Sequence, residues 1–430
     1  MRGPGAARIG VLKAFVFAAI DLLIKPLLAP FAWVRRSRAP IVDAAAAIAQ
    51  KTDEFNRAAD EYYVSQVPQA YVANKPFSEP EMFSKRLIDV GILVEGLRLR
   101  PGHVVLELGA GSCWLSHFLN RFGCRTISVD VSPAALAIGK DFFENDPHTN
   151  WTLEPRFLSY DGHVLPIEAA SVDAAILYDT YHHLPNPEAV LKELRRVLKD
   201  DGIAGMSEPG RGHTQSAQAA LEAGATGVLE NELSLDGIIA VAREAGFGAT
   251  QLIVASRGAL LEIDAARVND FIGGDRFTDY WRQLAAALDG HHYLLLHCGD
   301  PQPTTSRPRR LMAHLAVQGV TMTKAGPRSL EIRARNIGDT RWLHAADRPG
   351  WTRLGAHLYE AGTMRAVDFD WLRVSLPRDV APGEEIVLRV SLPEIDRAGD
   401  YEVVFDFVVE GLAWFADRDS HPATFRLSVH

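Results

Sequence analysis

The sequence predicts an α/β domain with a mostly parallel sheet, followed by a smaller all-β domain that forms an antiparallel sandwich. Between residues 104 and 298, five short apolar runs alternate with stretches of helical periodicity, which is typical of a parallel sheet covered by helices. After residue 310 the helical stretches stop, and short alternating strands separated by turn residues follow. Between the two regions lies GDPQPTTSRPRR (residues 299–310), whose composition indicates a linker.

The composition excludes several classes of protein. The chain has 430 residues, enough for two or three domains, and its 47% hydrophobic and 23% charged residues are ordinary for a globular protein. A net charge of −9 argues against nucleic acid as a partner, because proteins that bind nucleic acid are usually basic. The three cysteines cannot form a disulfide framework and lack metal-ligand spacing, which indicates a reducing, cytoplasmic setting.

The first 38 residues differ from the rest of the chain in charge and hydrophobicity. They carry seven basic residues and one acidic residue around a long apolar run, IGVLKAFVFAAIDLLIKPLLAPFAWV. Lys13, Asp21 and Lys25 interrupt this run, so it is poorly suited to span a bilayer. We therefore predict that residues 1–38 form an interfacial helix bound to the inner face of the membrane. A helix packed on the protein, a single span and a cleaved signal are the alternatives left open.

Residues 39–298 are predicted to form the α/β domain. Up to about residue 100 the apolar residues recur at helical spacing, which predicts an N-terminal helical cap before the first strand. The predicted strands of this domain are Val104–Leu108, Thr126–Val129, Ala174–Leu177, Ile203–Met206 and Tyr293–Leu296.

Residues 311–430 are predicted to form the sandwich. Tryptophans are frequent in this part of the chain; a sandwich core accommodates one or two of them, and an exposed one would suit the face of a sugar. The predicted strands are Leu315–Val320, Leu330–Arg335, Arg353–Tyr359, Glu385–Leu392, Tyr401–Val409 and Thr424–Val429.

A glycine turn follows the first predicted strand and is the strongest site signal. Glu107 is followed by Gly109 and Gly111 just before a helix, and glycines there let the backbone turn tightly and approach a ligand. The second strand ends at Asp130, about 20 residues further on, where a carboxylate can accept both hydroxyl groups of a ribose. From the residues alone, the ligand is either a dinucleotide such as NAD or S-adenosylmethionine.

Five motifs in this order, within residues 102–210, resemble those of class I S-adenosylmethionine-dependent methyltransferases of the type 11 kind. Two positions depart from the family's pattern: Cys113 stands where a third glycine is common, and Asp200-Asp201 replaces a Pro-Gly turn. The similar segments are Glu107–Gly111 (motif I), Asp130 (the ribose-binding acid), Asp161-Gly162 (the adenine contact), Leu177–Leu184 (the end of the fourth strand) and Glu193–Gly202 (the next helix and turn).

The resemblance implies a Rossmann-like fold, methyltransferase activity and S-adenosyl-L-methionine as the cofactor. It also implies which residues contact that cofactor. They are Glu107, Gly109, Ala110, Gly111, Asp130, Val131, Asp161, Gly162, Tyr178 and Asp179.

Histidines near the strand ends are the candidate catalytic residues. His182 and His183 come just after the fourth strand, where α/β sheets place ligands, and His213 follows the fifth strand. A hydroxyl acceptor must lose a proton, and a histidine can take it; a structural or cofactor-side role is the alternative. We expect no metal, because adjacent histidines without a third ligand make a poor site.

The acceptor is predicted from the architecture rather than from any single residue. The C-terminal domain resembles the Ig-like sandwiches of bacterial polysaccharide-modifying proteins, which implies a glycan or lipid-linked saccharide, methylated on a hydroxyl group at the membrane surface. Two alternatives are a small-molecule or lipid methyltransferase, acting for example on a quinone precursor, and a non-catalytic glycan-binding scaffold. The sandwich could also serve for packing or dimerisation, so homo-oligomerisation is left open.

Overall fold

A seven-stranded sheet forms the centre of the first domain in the computed structural model. None of the described helices is both long enough and apolar enough to cross a membrane. The helix predicted for residues 1–38 lies outside the described residues. The structure describes residues 48–66, 68–216, 219, 227–255, 262, 264–274, 276–323, 326–345, 350–363 and 365–429.

The strand order of this sheet is β3-β2-β1-β4-β5-β7-β6, and β7 runs antiparallel to both of its neighbours. All five predicted strands are present. The two that the sequence did not indicate, β3 and β6, are four-residue strands with partly exposed side chains, so they leave no apolar run. The strands are β1 (Val104–Leu108), β2 (Arg125–Asp130), β3 (Arg156–Ser159), β4 (Val172–Tyr178), β5 (Leu198–Pro209), β6 (Ala249–Leu252) and β7 (His291–His297).

Helices cover both faces of the sheet, as the alternating pattern predicted. Leu93 and Leu115 pack on one face, while Leu191 and Ile238 pack on the other. The helices are α1 (Thr52–Glu61), α2 (Gln69–Ala73), α3 (Pro80–Gly96), α4 (Trp114–Phe122), α5 (Pro133–Asn145), α6 (Pro187–Val197), α7 (Leu235–Glu244), α8 (Val268–Ile272) and α9 (Phe277–Gly290), with a π-helical turn at Tyr62–Gln66.

Helices α1 and α2 and the start of α3 lie over the carboxyl ends of the strands and are called the cap here. The rest of α3 packs on a face of the sheet. The Asn56 side-chain amide in α1 donates a hydrogen bond to the Asp161 carbonyl (2.8 Å), beyond the end of β3. The Asp60 carboxylate accepts a hydrogen bond from the hydroxyl of Ser132 (2.7 Å), beyond the end of β2. The cap therefore covers the carboxyl ends of the strands, which is where α/β sheets usually bind their ligands.

The C-terminal domain contains two antiparallel sheets, which confirms the predicted fold class. One sheet has the order β11-β10-β13-β14 with β15 also paired to β13, and the other has the order β12-β9-β8. Trp342 and Phe415 belong to the hydrophobic core of this domain, while Trp414 is partly exposed. The strands are β8 (Ala313–Thr323), β9 (Gly326–Asn336), β10 (Thr352–Glu360), β11 (Ala366–Ser375), β12 (Glu385–Ser391), β13 (Gly399–Val409), β14 (Ala413–Trp414) and β15 (Ala423–Val429).

The segment predicted as a linker, residues 299–310, packs against the first domain. Its Arg307 side chain is buried and donates hydrogen bonds to the carbonyl oxygens of Asp173 (3.1 Å) and Asp201 (3.0 Å). Both acceptors lie near the amino ends of β4 and β5, and β7 also ends there, since His297 pairs with Ile203. The C-terminal domain is thus joined near the amino ends of β4 and β5, at the end of the sheet opposite the cap.

Candidate active site

A cavity of about 890 Å³ lies between the cap and the carboxyl ends of the strands. β1 and β4 are neighbours, but the chain continues from them toward opposite edges of the sheet, and ligands of α/β sheets bind at such a point. Eight residues predicted from the sequence line the cavity: Gly109, Asp130, Val131, Gly162, Asp179, His182, His183 and His213.

The glycine turn has the backbone geometry that its sequence predicted. Gly109 and Gly111 both have positive φ angles, +70° and +51°. A β-carbon added to Gly109 would lie 2.3 Å from the Thr180 methyl group, and one added to Gly111 would lie 2.7 Å from the Tyr63 hydroxyl. Both conformation and space therefore require glycine at these positions.

Asp130 connects the glycine turn to the end of β2. One of its carboxylate oxygens accepts a hydrogen bond from the Gly111 amide and the other from the Ser132 amide, each at 2.8 Å. Burial raises the pKa of Asp130, and these hydrogen bonds oppose the rise. The carboxylate is held at the cavity wall, where the sequence placed a ribose contact; that contact stays a prediction.

Glu107 and Tyr178, which the resemblance assigned to the cofactor, lie behind the cavity wall. Glu107 accepts hydrogen bonds from the Ser116 amide (2.8 Å) and hydroxyl, and burial raises the pKa of Glu107 to about 8. The Tyr178 hydroxyl donates to the Asp89 carboxylate (2.8 Å). These contacts position β1 and β4, and a direct cofactor contact by either residue stays a prediction.

Ala110 and Asp161 are also not among the described residues that line the cavity. Ala110 is buried inside the turn, and its amide donates to the Val129 carbonyl (3.0 Å). The Asp161 carboxylate accepts hydrogen bonds from the amides of His163 (2.8 Å) and Val164 (2.9 Å), which lower its pKa. Asp161 thereby shapes the loop that places Gly162 at the wall, and its adenine contact stays a prediction.

His182 is held by a buried carboxylate at the end of β5. Its Nδ1 lies 2.7 Å from Glu208, whose other oxygen accepts hydrogen bonds from the amides of Thr180 (3.0 Å) and Tyr181 (2.8 Å). Burial lowers the pKa of His182, but the hydrogen bond and charge of Glu208 outweigh it and hold the pKa above its usual value. Because Nδ1 faces a carboxylate, Nε2 is the ring nitrogen left for a ligand.

The other two histidines contact the loop that follows residue 226. His183 Nδ1 donates to the Leu229 carbonyl (2.7 Å), and burial, reinforced by the neighbouring His182, lowers the pKa of His183. His213 Nε2 lies 2.8 Å from the Glu230 carboxylate. The base role predicted for His182 or His183 stays a prediction.

Three functional candidates in this region were missed by sequence reasoning. Glu208 carried a weak signal, because it is a carboxylate at the end of a predicted strand. Glu230 carried none, since it lies in an irregular loop far along the chain from His182. Arg86, on α3, also lines the cavity and lies 3.6 Å from the Asp179 carboxylate.

The expectation of no metal depended on the lack of a third ligand beside the adjacent histidines. The structure supplies further ligands: one ligand atom from each of His182, His213 and Glu230 lies within 4.8 Å of the others. The spacing of these residues along the chain hides this cluster.

Comparison with known proteins identifies the central region. Residues 106–206 match the family model described as "Methyltransferase domain". The chain contains a methyltransferase domain. The predicted enzyme class, an S-adenosylmethionine-dependent methyltransferase, and the predicted cofactor are thereby confirmed for this domain.

Two curated relatives are similar to about a quarter of this chain. The chain is 30% identical over 101 residues to "Ubiquinone biosynthesis O-methyltransferase, mitochondrial" of Schizosaccharomyces pombe, covering 24% of this chain and 36% of that protein. It is 26% identical over 110 residues to "Sterol 4-C-methyltransferase strm-1" of Caenorhabditis elegans, covering 26% and 32%. The chain thus spans about a third of the length of these relatives.

A solved structure of an S-adenosylmethionine-dependent methyltransferase from Aquifex aeolicus is 17% identical, covers 44% of this chain and 93% of that chain, and has a TM-score of 0.35.

Proposed function

We propose that the protein transfers a methyl group from S-adenosylmethionine to a hydroxyl group of an acceptor bound in the same cavity. The observation that carries this proposal is that one cavity is lined both by the glycine turn with Asp130 and by His182, His183 and His213. The first group is typical of a cofactor site, and the second offers polar nitrogens to an acceptor.

For this reaction the protein must align the methyl donor with the acceptor, and the acceptor hydroxyl must lose its proton. The acceptor oxygen forms a bond to the methyl carbon while the carbon–sulfur bond breaks, and its electron pair goes to sulfur, which becomes a neutral thioether. Because the sulfonium is a good leaving group, holding donor and acceptor in line supplies much of the rate. The hydroxyl proton must be accepted or released close to the acceptor oxygen.

The size and lining of the cavity favour a small ring-shaped acceptor. Phe55, Tyr62, Tyr63 and Tyr160 all line it, and such rings stack on flat or weakly polar molecules. A cavity of about 890 Å³ must also contain the cofactor, so the bound part of the acceptor is limited in size. A relative named as an O-methyltransferase of ubiquinone biosynthesis supports this class of acceptor.

A lipid-linked glycan is the second candidate acceptor, supported by an aromatic cluster on the sandwich. His357 stacks on Phe369 at 4.1 Å between ring centroids, and Phe369 is 57% exposed. His357 also contacts Trp414 at 4.3 Å, and the Arg373 guanidinium lies 4.4 Å from the Trp414 ring centroid. Partly exposed rings beside a cation suit the face of a sugar. The basic residues of segment 1–38 would hold the enzyme near a membrane that carries such an acceptor.

Methyl transfer from radiolabelled S-adenosylmethionine to two sets of acceptors tests this function. One set contains hydroxylated aromatic molecules of the quinone-precursor type, and the other contains lipid-linked oligosaccharides. Labelled ether products from the first set alone would support the small acceptor. Products from the second set, with a lower rate for Trp414→Ala, would support the glycan. Transfer only to nitrogen or carbon atoms of any acceptor would contradict the proposal.

A further inference from the structure

We infer that His182, His213 and Glu230 form a binding site for a divalent transition-metal ion on the wall of the cavity. His213 Nε2 and His182 Nε2 lie 2.8 Å and 3.8 Å from the same oxygen of Glu230. Two ligand atoms on a tetrahedral zinc ion, each about 2.0–2.1 Å from the metal, are about 3.3 Å apart. The observed separations bracket that value, so small side-chain rotations would bring the three atoms onto one ion.

The second oxygen of Glu230 supports the site independently. The Glu230 side chain is only 5% exposed, and its Oε1 has no hydrogen-bond partner among the described residues. His183 Nδ1 lies 3.5 Å from this oxygen but donates its hydrogen bond to the Leu229 carbonyl instead. A buried carboxylate oxygen without a donor is costly, and a bound cation removes that cost.

Glu208 supplies the outer support that metal-binding histidines usually have. It holds His182 Nδ1 at 2.7 Å and is itself fixed by the amides of Thr180 and Tyr181. A carboxylate on the far ring nitrogen fixes the tautomer and orientation of the imidazole, so that Nε2 presents its lone pair to the metal. The ring is therefore already oriented for ligation.

The charges around the cluster favour a divalent ion. Glu208 is fully buried and Glu230 nearly so, and both face imidazole rings rather than lysine or arginine side chains. Arg86, which lines the same cavity, is paired with Glu79 and Asp179. Two buried carboxylates therefore lie on either side of His182, and a divalent cation would interact favourably with both.

The ligand set indicates the class of metal. Two histidines and one carboxylate form sites for zinc and for other first-row divalent ions, and three protein ligands leave a position open for a water molecule or substrate. His182 and His213 both line the cavity, so a molecule in the cavity would reach this position. On the basis of the proposed function, the acceptor hydroxyl would bind there, lose its proton to solvent water, and attack the methyl carbon as a metal-bound oxygen. The metal keeps its oxidation state, because the electron pair of the broken bond goes to sulfur.

Metal titration of the tag-free full chain after dialysis against a chelator tests the site without any acceptor. We expect one equivalent of Zn²⁺ to bind by calorimetry, and one equivalent of Co²⁺ to give visible absorption bands of low coordination number. Glu208→Gln should weaken binding by roughly 10–100-fold, the usual effect of losing an outer-shell partner, and His213→Ala or Glu230→Gln by more. His344→Ala is the matched control, because that histidine pairs with Asp379 on the sandwich surface and should bind metal as the wild type does.

Three outcomes decide the inference. Stoichiometric metal binding that His213→Ala and Glu230→Gln both weaken would support it; using both variants covers the case in which one does not fold. Absence of stoichiometric binding would overturn it. Binding that neither variant weakens would also overturn it. Titration with S-adenosylmethionine on the same samples separates this result from the proposed function, since the cofactor can bind when metal does not.

Discussion

Replacing Glu107 with glutamine should change how the stability of the protein depends on pH. Burial raises the pKa of Glu107 from an ordinary 4.5 to about 8, so the folded protein holds this proton more tightly than the unfolded chain. The resulting stability is fully present below pH 4.5 and is lost as the pH rises through 8. Glutamine keeps the shape of the side chain and cannot ionise, so Glu107→Gln removes this pH dependence.

The size of the effect follows from the shift. Each pKa unit corresponds to about 1.4 kcal/mol, so the wild type would lose about 5 kcal/mol in total from this group between pH 4.5 and well above pH 8. Between pH 6 and pH 8 the loss is about 2 kcal/mol, because over these two pH units the unfolded chain is ionised at this residue while most of the folded protein still holds the proton. The Ser116 amide and hydroxyl can still hydrogen-bond to glutamine, so little else changes.

Urea unfolding of both proteins at pH 6, 7 and 8 measures the effect. The other titrating groups are common to both proteins, so the difference in unfolding free energy isolates Glu107. We expect that difference to move by about 2 kcal/mol in favour of the variant as the pH rises from 6 to 8. A difference that stays constant would refute the reasoning. Calorimetry with S-adenosylmethionine on the same samples asks whether Glu107 touches the cofactor, since its position behind the wall predicts little change in affinity.

Three further substitutions test the turn, the helix packing and the domain connection. Asp130→Ala should weaken S-adenosylmethionine binding by about 1.5–3 kcal/mol, measured by calorimetry, and unchanged affinity would remove the ribose assignment. Gly139→Ala should destabilise the protein by about 1–3 kcal/mol, because the new β-carbon would lie 2.4 Å from the Cys113 sulfur; thermal unfolding should show a smaller loss in a Cys113→Gly background. Arg307→Ala should cost about 3 kcal/mol of stability in denaturant unfolding, whereas Arg333→Ala, in an exposed ion pair, should cost less than about 1 kcal/mol. Equal effects of the two arginine variants would contradict the role given to burial.

Much of the fold could be predicted because burial leaves a clear pattern in the sequence. β1 and β4 are largely buried and appear as apolar runs that each contain one acidic residue, Glu107 and Asp173. β3 and β6 escaped prediction because they are short and lie at the two edges of the sheet, where side chains are partly exposed. The packing of residues 299–310 on the first domain was also not predicted, because a single buried arginine does not alter a composition that is typical of linkers.

In the candidate site, too, some residues could be predicted from the sequence and others could not. Gly109 and Asp130 were predictable because a strand–turn–helix requires particular backbone conformations at fixed places in the chain. Cys113 shows the limit of this reasoning: it has a φ of +59°, so the left-handed conformation that favours glycine is kept without glycine. Glu230 could not be predicted, because a loop residue reaches His182 through the tertiary fold alone.

The contact made by Arg307 lies at the opposite end of the sheet from the cavity. The sandwich is joined at the amino ends of the strands, whereas the cavity opens at their carboxyl ends. The seven residues of β4 alone span about 23 Å at roughly 3.3 Å per residue. The described residues that line the cavity all lie between Phe55 and Gly290, so none of them belongs to the sandwich. Under the proposed function, the cavity would determine which group of the acceptor is methylated, and we expect the sandwich to determine where the enzyme resides or how long it stays on an extended acceptor.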